Sequence, residues 1–385
     1  MASNALPRWD PRSEAVLRNQ IAAFDEMRRG CPLAQSRYGY TSLFRHADVL
    51  RVLHDHETFS SAVSRHPSVP NGMDPPEHTA FRRLIEPYFG PAEMAAFEPA
   101  CRAIAARLVA GLPRDRKVEL GAQFAQPFAL EIQCAWLGWP EALHEPLRLW
   151  TRKNHAATLA RDEAAMEAVA REFDGHIRAL LAERRDAGEA APGDITTRLL
   201  RDESLGRPLA EDEIVSILRN WTVGELGTIA ASIGIVAQYL AVHADVQQRL
   251  RAERSLVAAA IDEILRIHAP LIMNRRVLRK EATVAGHRLP AGTRLALIWA
   301  SANRDEAVFG DPDEFRLDRD PASNLLYGAG IHVCPGAPLA RLELRIVIDE
   351  LLARTSSIEM APGAEAVRAF YPASGFSSLP MRFGH

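Results

Sequence analysis

The chain has 385 residues, 25% of them charged and 47% hydrophobic, with a formal net charge of −3. That is enough material for one large domain or two ordinary ones, and the charge balance leaves no concentrated basic surface for nucleic acid. Cys31, Cys101, Cys134 and Cys334 are scattered with no C-x-x-C pair, which argues against a structural zinc site and a disulfide framework and for a reducing, cytoplasmic setting.

The opening "MASNALPRWDPRSE" has Pro, Trp and acids where a secretory signal needs an apolar run. "YGYTSLF", Tyr38 to Phe44, reads as a short strand and "HADVLRVLHD" as a helix after it. A polar loop, "SSAVSRHPSVPNGMDPPEH", leads into "TAFRRLIEPYF", where apolar residues recur at helical spacing. Helical patterns dominate from Pro91 to about Ala187, and "GEAAPGD" separates them from "ITTRLL". "AEDEIVSILRNWTVGELGTIAASIGIVAQYLAVHADVQQRL" then reads as one long helix threading the core. Its most apolar part, Ile229 to Val242, is too short and interrupted to span a bilayer, so no membrane span is expected. From Val277 the texture changes to Gly and Pro turns between β-prone runs, and "PLARLELRIVIDELLART" closes the chain with a helix. No linker divides it. The expectation is one mainly α domain with small β-sheets, residues 1–385.

Cys101 and Cys134 lie among apolar residues and read as small buried hydrophobes. Cys334 differs. It stands just before a helix whose N-terminal N–H groups favour a negative sulfur. Gly328, Gly330 and Gly336 let the backbone approach a flat or bulky ligand, and His332 lies two residues away. From this loop alone, a glycine-rich turn with an incidental cysteine remains the competing reading.

The stretch Tyr327, Gly328, Gly330, His332, Cys334, Gly336, followed by "APLARLE", resembles the haem-binding signature of the cytochrome P450 family. The resemblance implies the P450 fold, with haem b (iron protoporphyrin IX) between the long central helix and the cysteine-loop helix and Cys334 as the metal ligand. A thiolate axial ligand favours O–O cleavage. Tyr327 stands where the family usually has Phe. Pro335 has no N–H, so one potential hydrogen bond to the sulfur is missing.

Other stretches follow in the family's order. "EILR" resembles its E-x-x-R motif, which assigns Glu263 and Arg266 to an ion pair bracing the haem loop. Glu314 stands where the fuller motif often has Arg, leaving Arg316 or Arg319 as the third member. By the same resemblance "DPPEHTAFRR" offers His78 and Arg82 to the haem propionates, "NRRVLRKEATVAG" offers Arg276, and His332 completes the set.

In the central helix the family usually shows Gly, any residue, an acid and Thr, which hold waters that deliver protons during oxygen activation. Here Gly224 keeps the Gly, but Leu226 falls at the acid and Gly227 at the first Thr, with Thr228 in the last position. Glu225 is one residue early, about 100° around the helix. Either Glu225 or Thr228 swings in with water to relay protons, or Glu225 partners a cation elsewhere in the core.

The resemblance places Val223, Leu226, Gly227, Ile272, Ser374 and Phe376 around the substrate, and a short Ser60–Gly72 loop suits a small, mostly apolar or aromatic one. The implied activity is a monooxygenase inserting one oxygen atom from O2. Electrons would come from NAD(P)H through a separate ferredoxin and ferredoxin reductase, docking near Arg82, Arg83 and Arg341 on a monomer. Two alternatives stand beside it. The same scaffold can run peroxide-driven oxidation, oxidative cyclisation or coupling, and Cys334–Pro335 is also the dipeptide of haem-sensing motifs.

Overall fold

A helix of 32 residues, Glu211–Val242, runs through the middle of the molecule. Acids fill its first turn (Glu211, Asp212 and Glu213), where they complement the helix dipole, and Glu213 reaches back to the Ala210 N–H at 2.7 Å. Its apolar residues point all round, the pattern of a helix enclosed on every side. The helix Gln126–Leu137 packs on one side, the cysteine-loop helix Ala337–Arg354 on another, and Ala337–Arg354 in turn packs on Pro91–Ala110. Together they enclose one large apolar core that includes Phe128, Ile217, Leu240, Ile264 and Ile348. The computed structural model describes residues 6–64, 67–160 and 162–384.

The sheets are peripheral. The largest has six strands in the spatial order Arg8–Trp9, Leu33–Ser36, Thr41–Leu43, Arg294–Ile298, Met273–Leu278 and Phe59–Ser60. Met273–Leu278 and Arg294–Ile298 pair antiparallel, with Arg276 opposite Leu295. A three-stranded sheet joins Ile358–Met360, Pro380–Phe383 and Val118–Glu119. Two hairpins complete the β structure: Ala282–Val284 with His287–Leu289, and Val367–Arg368 with Phe376–Ser378.

The mainly α fold with small sheets is as expected, but three boundaries differ. The long central pattern is two helices, because the chain leaves helical geometry at His243 (φ −117°, ψ 76°) and restarts at Ala244. The strand read over Tyr38–Phe44 is confined to Thr41–Leu43, since Arg37–Gly39 form a turn closed by the Gly39 N–H on the Ser36 carbonyl. Val118–Glu119 is a short strand inside the stretch read as helical. Glu211–Val242 as a whole is also long and apolar enough to cross a membrane, although 56% of its most apolar window is buried inside the protein. The helices His144–Ala160 and Glu163–Ala187 pack against each other. Arg161 between them, and residues 65 and 66 of the Ser60–Gly72 loop, lie outside the described residues.

Candidate active site

In the middle of the core helix one stripe is bare. Val223, Gly224 and Gly227 are exposed and Thr228 and Ala231 half-buried, while Trp221, Thr222, Leu226 and Ile229 around them are buried. These positions lie on one face at helical spacing, so the core helix borders an open space. Cys334 and Val333 are likewise exposed, although burial pushes the Cys334 thiol above its ordinary value. A thiol that is accessible yet poorly solvated belongs to the wall of an internal space.

The cysteine loop is held by its own backbone. The Cys334 N–H donates to the Tyr327 carbonyl at 2.8 Å and the Gly328 N–H to the Leu325 carbonyl at 2.9 Å. At Gly330, φ is +69° and a Cβ would lie 2.3 Å from the Leu53 carbonyl oxygen, so only glycine fits. Backbone N–H groups of Gly336 and Ala337 favour a negative sulfur, so the N–H missing at Pro335 leaves two donors near it. Arg341 lies 4.5 Å from the Tyr327 ring centroid and bonds Asp262.

The expected brace is present. Arg266 pairs with Glu263 at 2.7 Å, both buried, and donates to the Asn303 and Pro312 carbonyls. The third member is Arg319, whose Nε reaches Glu263 at 2.9 Å. Arg316 contributes only its backbone N–H and pairs its side chain with Asp318, while Glu314 offers Arg319 a carbonyl.

Above the loop lies a cluster of unsatisfied donors. The His78 and His332 rings are 4.1 Å apart, and both nitrogens of His78 and Nε2 of His332 are buried without a partner. Desolvation holds His332 down to about 3, with His78 and Arg276 adding to it. Arg276 is 4% exposed. Its Nη1 donates to the Arg275 carbonyl at 2.7 Å, it has no carboxylate partner among the described residues, and desolvation lowers it to about 10. Arg82 differs from the expected free cation: it bonds Glu86 at 2.8 Å and the Val333 carbonyl at 2.5 Å.

Glu225 turns away from the bare stripe. Its carboxyl faces that of Glu343 on the cysteine-loop helix, and burial raises both, Glu343 strongly. Glu343 is fully buried and neither of its carboxyl oxygens has a hydrogen-bond partner, so burial beside Glu225 favours its protonated form. The expected alternative of a cationic partner for Glu225 is thereby corrected: the partner is a second acid. Thr228 is on the stripe, with its hydroxyl bonded to the Gly224 carbonyl at 2.5 Å. Ser232 repeats this bond one turn on, to the Thr228 carbonyl at 2.7 Å. Such back-bonding bends helices slightly. Of the expected substrate wall, Val223 and Gly227 face the open space, but Leu226 packs in the core at 6% exposure. Its direction, 100° from Gly227, carries it off the stripe. Ile272 is buried, Ser374 donates to the Ala269 carbonyl, and Phe376 packs beside Gly234.

Comparison with known proteins decides what this arrangement is. Residues 143–366 match the sequence profile of the cytochrome P450 family. The chain is 32% identical over 335 residues to the cyclomarin C epoxidase of Salinispora arenicola, covering 83% of this chain and 84% of that one. It is 31% identical to the erythromycin C-12 hydroxylase of Saccharopolyspora erythraea, covering 89% of each. The solved structure of a cytochrome P450 of Chondromyces apiculatus superposes with a TM-score of 0.88 at 30% identity, covering 98% of both chains. The chain belongs to the cytochrome P450 family.

It is therefore an oxidoreductase of the P450 monooxygenase type, and the family implies a haem. The residues of this P450 fit that group. Cys334 is accessible on the loop before the helix Ala337–Arg354, which packs against the central helix that carries the bare stripe. Beside Cys334, two histidines and a buried arginine lack the acceptors that two carboxylates would supply. No cluster of three metal-binding side chains exists among the described residues, which agrees with a single protein ligand. A loose haem-sensing role has no place in a chain that matches P450 enzymes along nearly its whole length. Glu343 escaped the sequence reading, yet it left a signal, an acid between Leu342 and Leu344 on a helix flanked by Leu339 and Val347.

Proposed function

We propose that this P450 is a single domain, residues 1–385, holding haem b and inserting one oxygen atom from O2 into a small, mostly apolar or aromatic substrate. It works as a cytoplasmic monomer, with electrons from NAD(P)H through a separate ferredoxin and its reductase. The accessible Cys334, at the start of the helix that packs against the central helix, carries this reading. When bound, a haem would supply the oxygen-activating chemistry, and Cys334 would hold it through a thiolate, which favours O–O cleavage.

The chain's own residues do the rest. His78, His332 and Arg276 hold the propionates, and Tyr327, Gly328 and Gly336 shape the loop around the sulfur. Arg82 fixes that loop through the Val333 carbonyl. Glu263, Arg266 and Arg319 keep it in register from below. Thr228 commits its proton to Gly224 and so presents lone pairs that accept from water in the open space. Gly224 and Gly227 leave room for that water. Behind the stripe, burial favours the protonated forms of Glu225 and Glu343. Arg83, exposed beside this face, suits an acidic electron donor, whereas Arg341 is held by Asp262 and Tyr327.

The ferrous–carbonyl spectrum tests the reading. The purified protein is expected to give the Soret band of a thiolate-ligated haem, and Cys334→Ala to lose it; a variant that kept the band would reject the assignment. One observation favours a second reading, atypical oxygen activation. The stripe formed by Val223, Gly224, Gly227, Thr228 and Ala231 carries no acid, so peroxide-driven oxidation, cyclisation or coupling needs no relay there. Turnover with ferredoxin, reductase and NADH, compared with turnover on peroxide alone, separates the two.

A further inference from the structure

A second space opens about two turns along the central helix from Thr228. This cavity, about 280 Å³, lies between the helix at Ile235, the end of the E-x-x-R helix at His268, the hairpin at Arg368 and the N-terminal helix Gln20–Gly30. Apolar side chains form most of its wall, among them Ile21, Phe24 and Ile272. No Asp or Glu lines it. Its two cations differ in kind. Arg18 is spent on Glu14 at 2.9 Å. Arg368 has no acidic or carbonyl partner among the described residues and stacks its guanidinium over Phe376, 4.5 Å from the ring centroid.

Two further groups around the cavity lack partners. Nδ1 of His268 is buried without a hydrogen bond, and so is Oε1 of Gln20, an amide acceptor that calls for a donor group on the ligand or a water. Burial holds His268 down to about 3, and Arg368 is the largest charge acting on it. An unpaired guanidinium, a neutral histidine and an apolar wall make a poor site for a cation and a good one for an organic anion. A planar guanidinium matches a carboxylate in two parallel hydrogen bonds.

The cavity adjoins the reaction space. Ile272 and Ser374, both expected at the substrate wall, line it. Gly375 stands between the two: it lines the cavity, its φ is +79°, and a Cβ there would stand 3.3 Å from Ala231, the last residue of the bare stripe. From Thr228 to Ile235 the helix rises about 10 Å, at roughly 1.5 Å per residue.

We propose that this cavity is the distal end of the substrate site and that Arg368 binds the carboxylate of an apolar organic acid, whose far end reaches the stripe at Thr228. The proposal rests on the monooxygenase reading and narrows it to a substrate class. Acid and reacting carbon are then on the order of 10 Å apart. No bond is made or broken at Arg368.

The test uses the haem-loaded protein with decanoate, decanamide and inorganic phosphate as probes. Calorimetry is expected to show decanoate binding at least tenfold tighter than decanamide and phosphate binding negligibly, with decanoate shifting the ferric spin state. Arg368→Gln should erase the preference for the acid while leaving decanamide unchanged, and Arg368→Lys should keep part of it. Equal affinity for acid and amide, a preference that survives in Arg368→Gln, or phosphate competing as well as decanoate overturns the proposal. So does Arg368-dependent binding that leaves the spin state unmoved. The ferrous–carbonyl band of the same samples is read separately, so a failure of the haem–thiolate reading is distinguishable from a failure of the anion site.

Discussion

Glu225 and Glu343 face each other in the core with no cation between them. Desolvation favours the protonated form of each carboxyl and repulsion from Glu225 adds to it at Glu343, so both are raised in the folded protein relative to the unfolded chain. The stability this contributes is present below the ordinary carboxylate range and is lost as pH rises through the raised folded values. The wild type's resistance to urea unfolding should therefore weaken as pH rises above the ordinary carboxylate range. Glu343→Gln can donate to Glu225 without needing the proton, so it should flatten that decline and exceed the wild type in stability at the higher pH. Parallel stability–pH curves would show that the pair is not what titrates. The same residues mark how far side chains can be read from sequence. Cys334 was legible because its neighbours announce a ligand. Glu225 was legible only as a departure, because its partner is more than a hundred positions away. Arg368 gave no signal at all, since an unpaired arginine on a short hairpin looks like any surface cation until the cavity is seen.

Among the elements, the cysteine loop depends on a helix that it does not touch in sequence. Glu263 accepts from Arg266 within its own helix and from Arg319 in the loop beyond. Removing one partner of a buried pair strands the other, at about 3–5 kcal/mol. Arg266→Ala should lose that much in denaturant unfolding. Arg319→Ala should lose about half as much, because its guanidinium also serves exposed carbonyls. Arg316→Ala should stay within about 0.5 kcal/mol, as an exposed pair does. Equal losses for Arg316 and Arg319 would contradict the brace. The sequence left these two arginines open because they are three residues apart in an irregular loop, where no periodicity states which points inward. The central helix shows the converse. Its apolar pattern announced burial, but Val223 facing a void and Leu226 facing the core are both apolar, so the pattern could not tell a cavity wall from packing. Its end at His243 was hidden too, because the following helix continues the same apolar rhythm.

At the scale of the whole molecule, the fold is built around a group that it does not itself contain, and Arg276 makes the consequence measurable. Its guanidinium is buried beside His332 and donates to the Arg275 carbonyl, a costly position for a cation when nothing negative is near. On the proposed assignment, the propionates of a bound haem would supply that charge. One substitution should then act with opposite signs on the two forms. In the haem-free protein Arg276→Met removes a poorly satisfied buried charge and keeps the length of the side chain, so it should stabilise by about 1–3 kcal/mol. In the haem-loaded protein it removes a propionate partner, so haem should be retained about tenfold less tightly, equivalent to roughly 1.4 kcal/mol. Because a ligand that binds only the native state stabilises in proportion to its affinity, the gap in Tm between loaded and haem-free forms should narrow from both sides. Parallel thermal unfolding of the two forms, together with haem transfer to apomyoglobin, reads both effects. If Arg276→Met destabilised both forms equally, the arginine would be an ordinary part of the core, and the propionate assignment would fall with it.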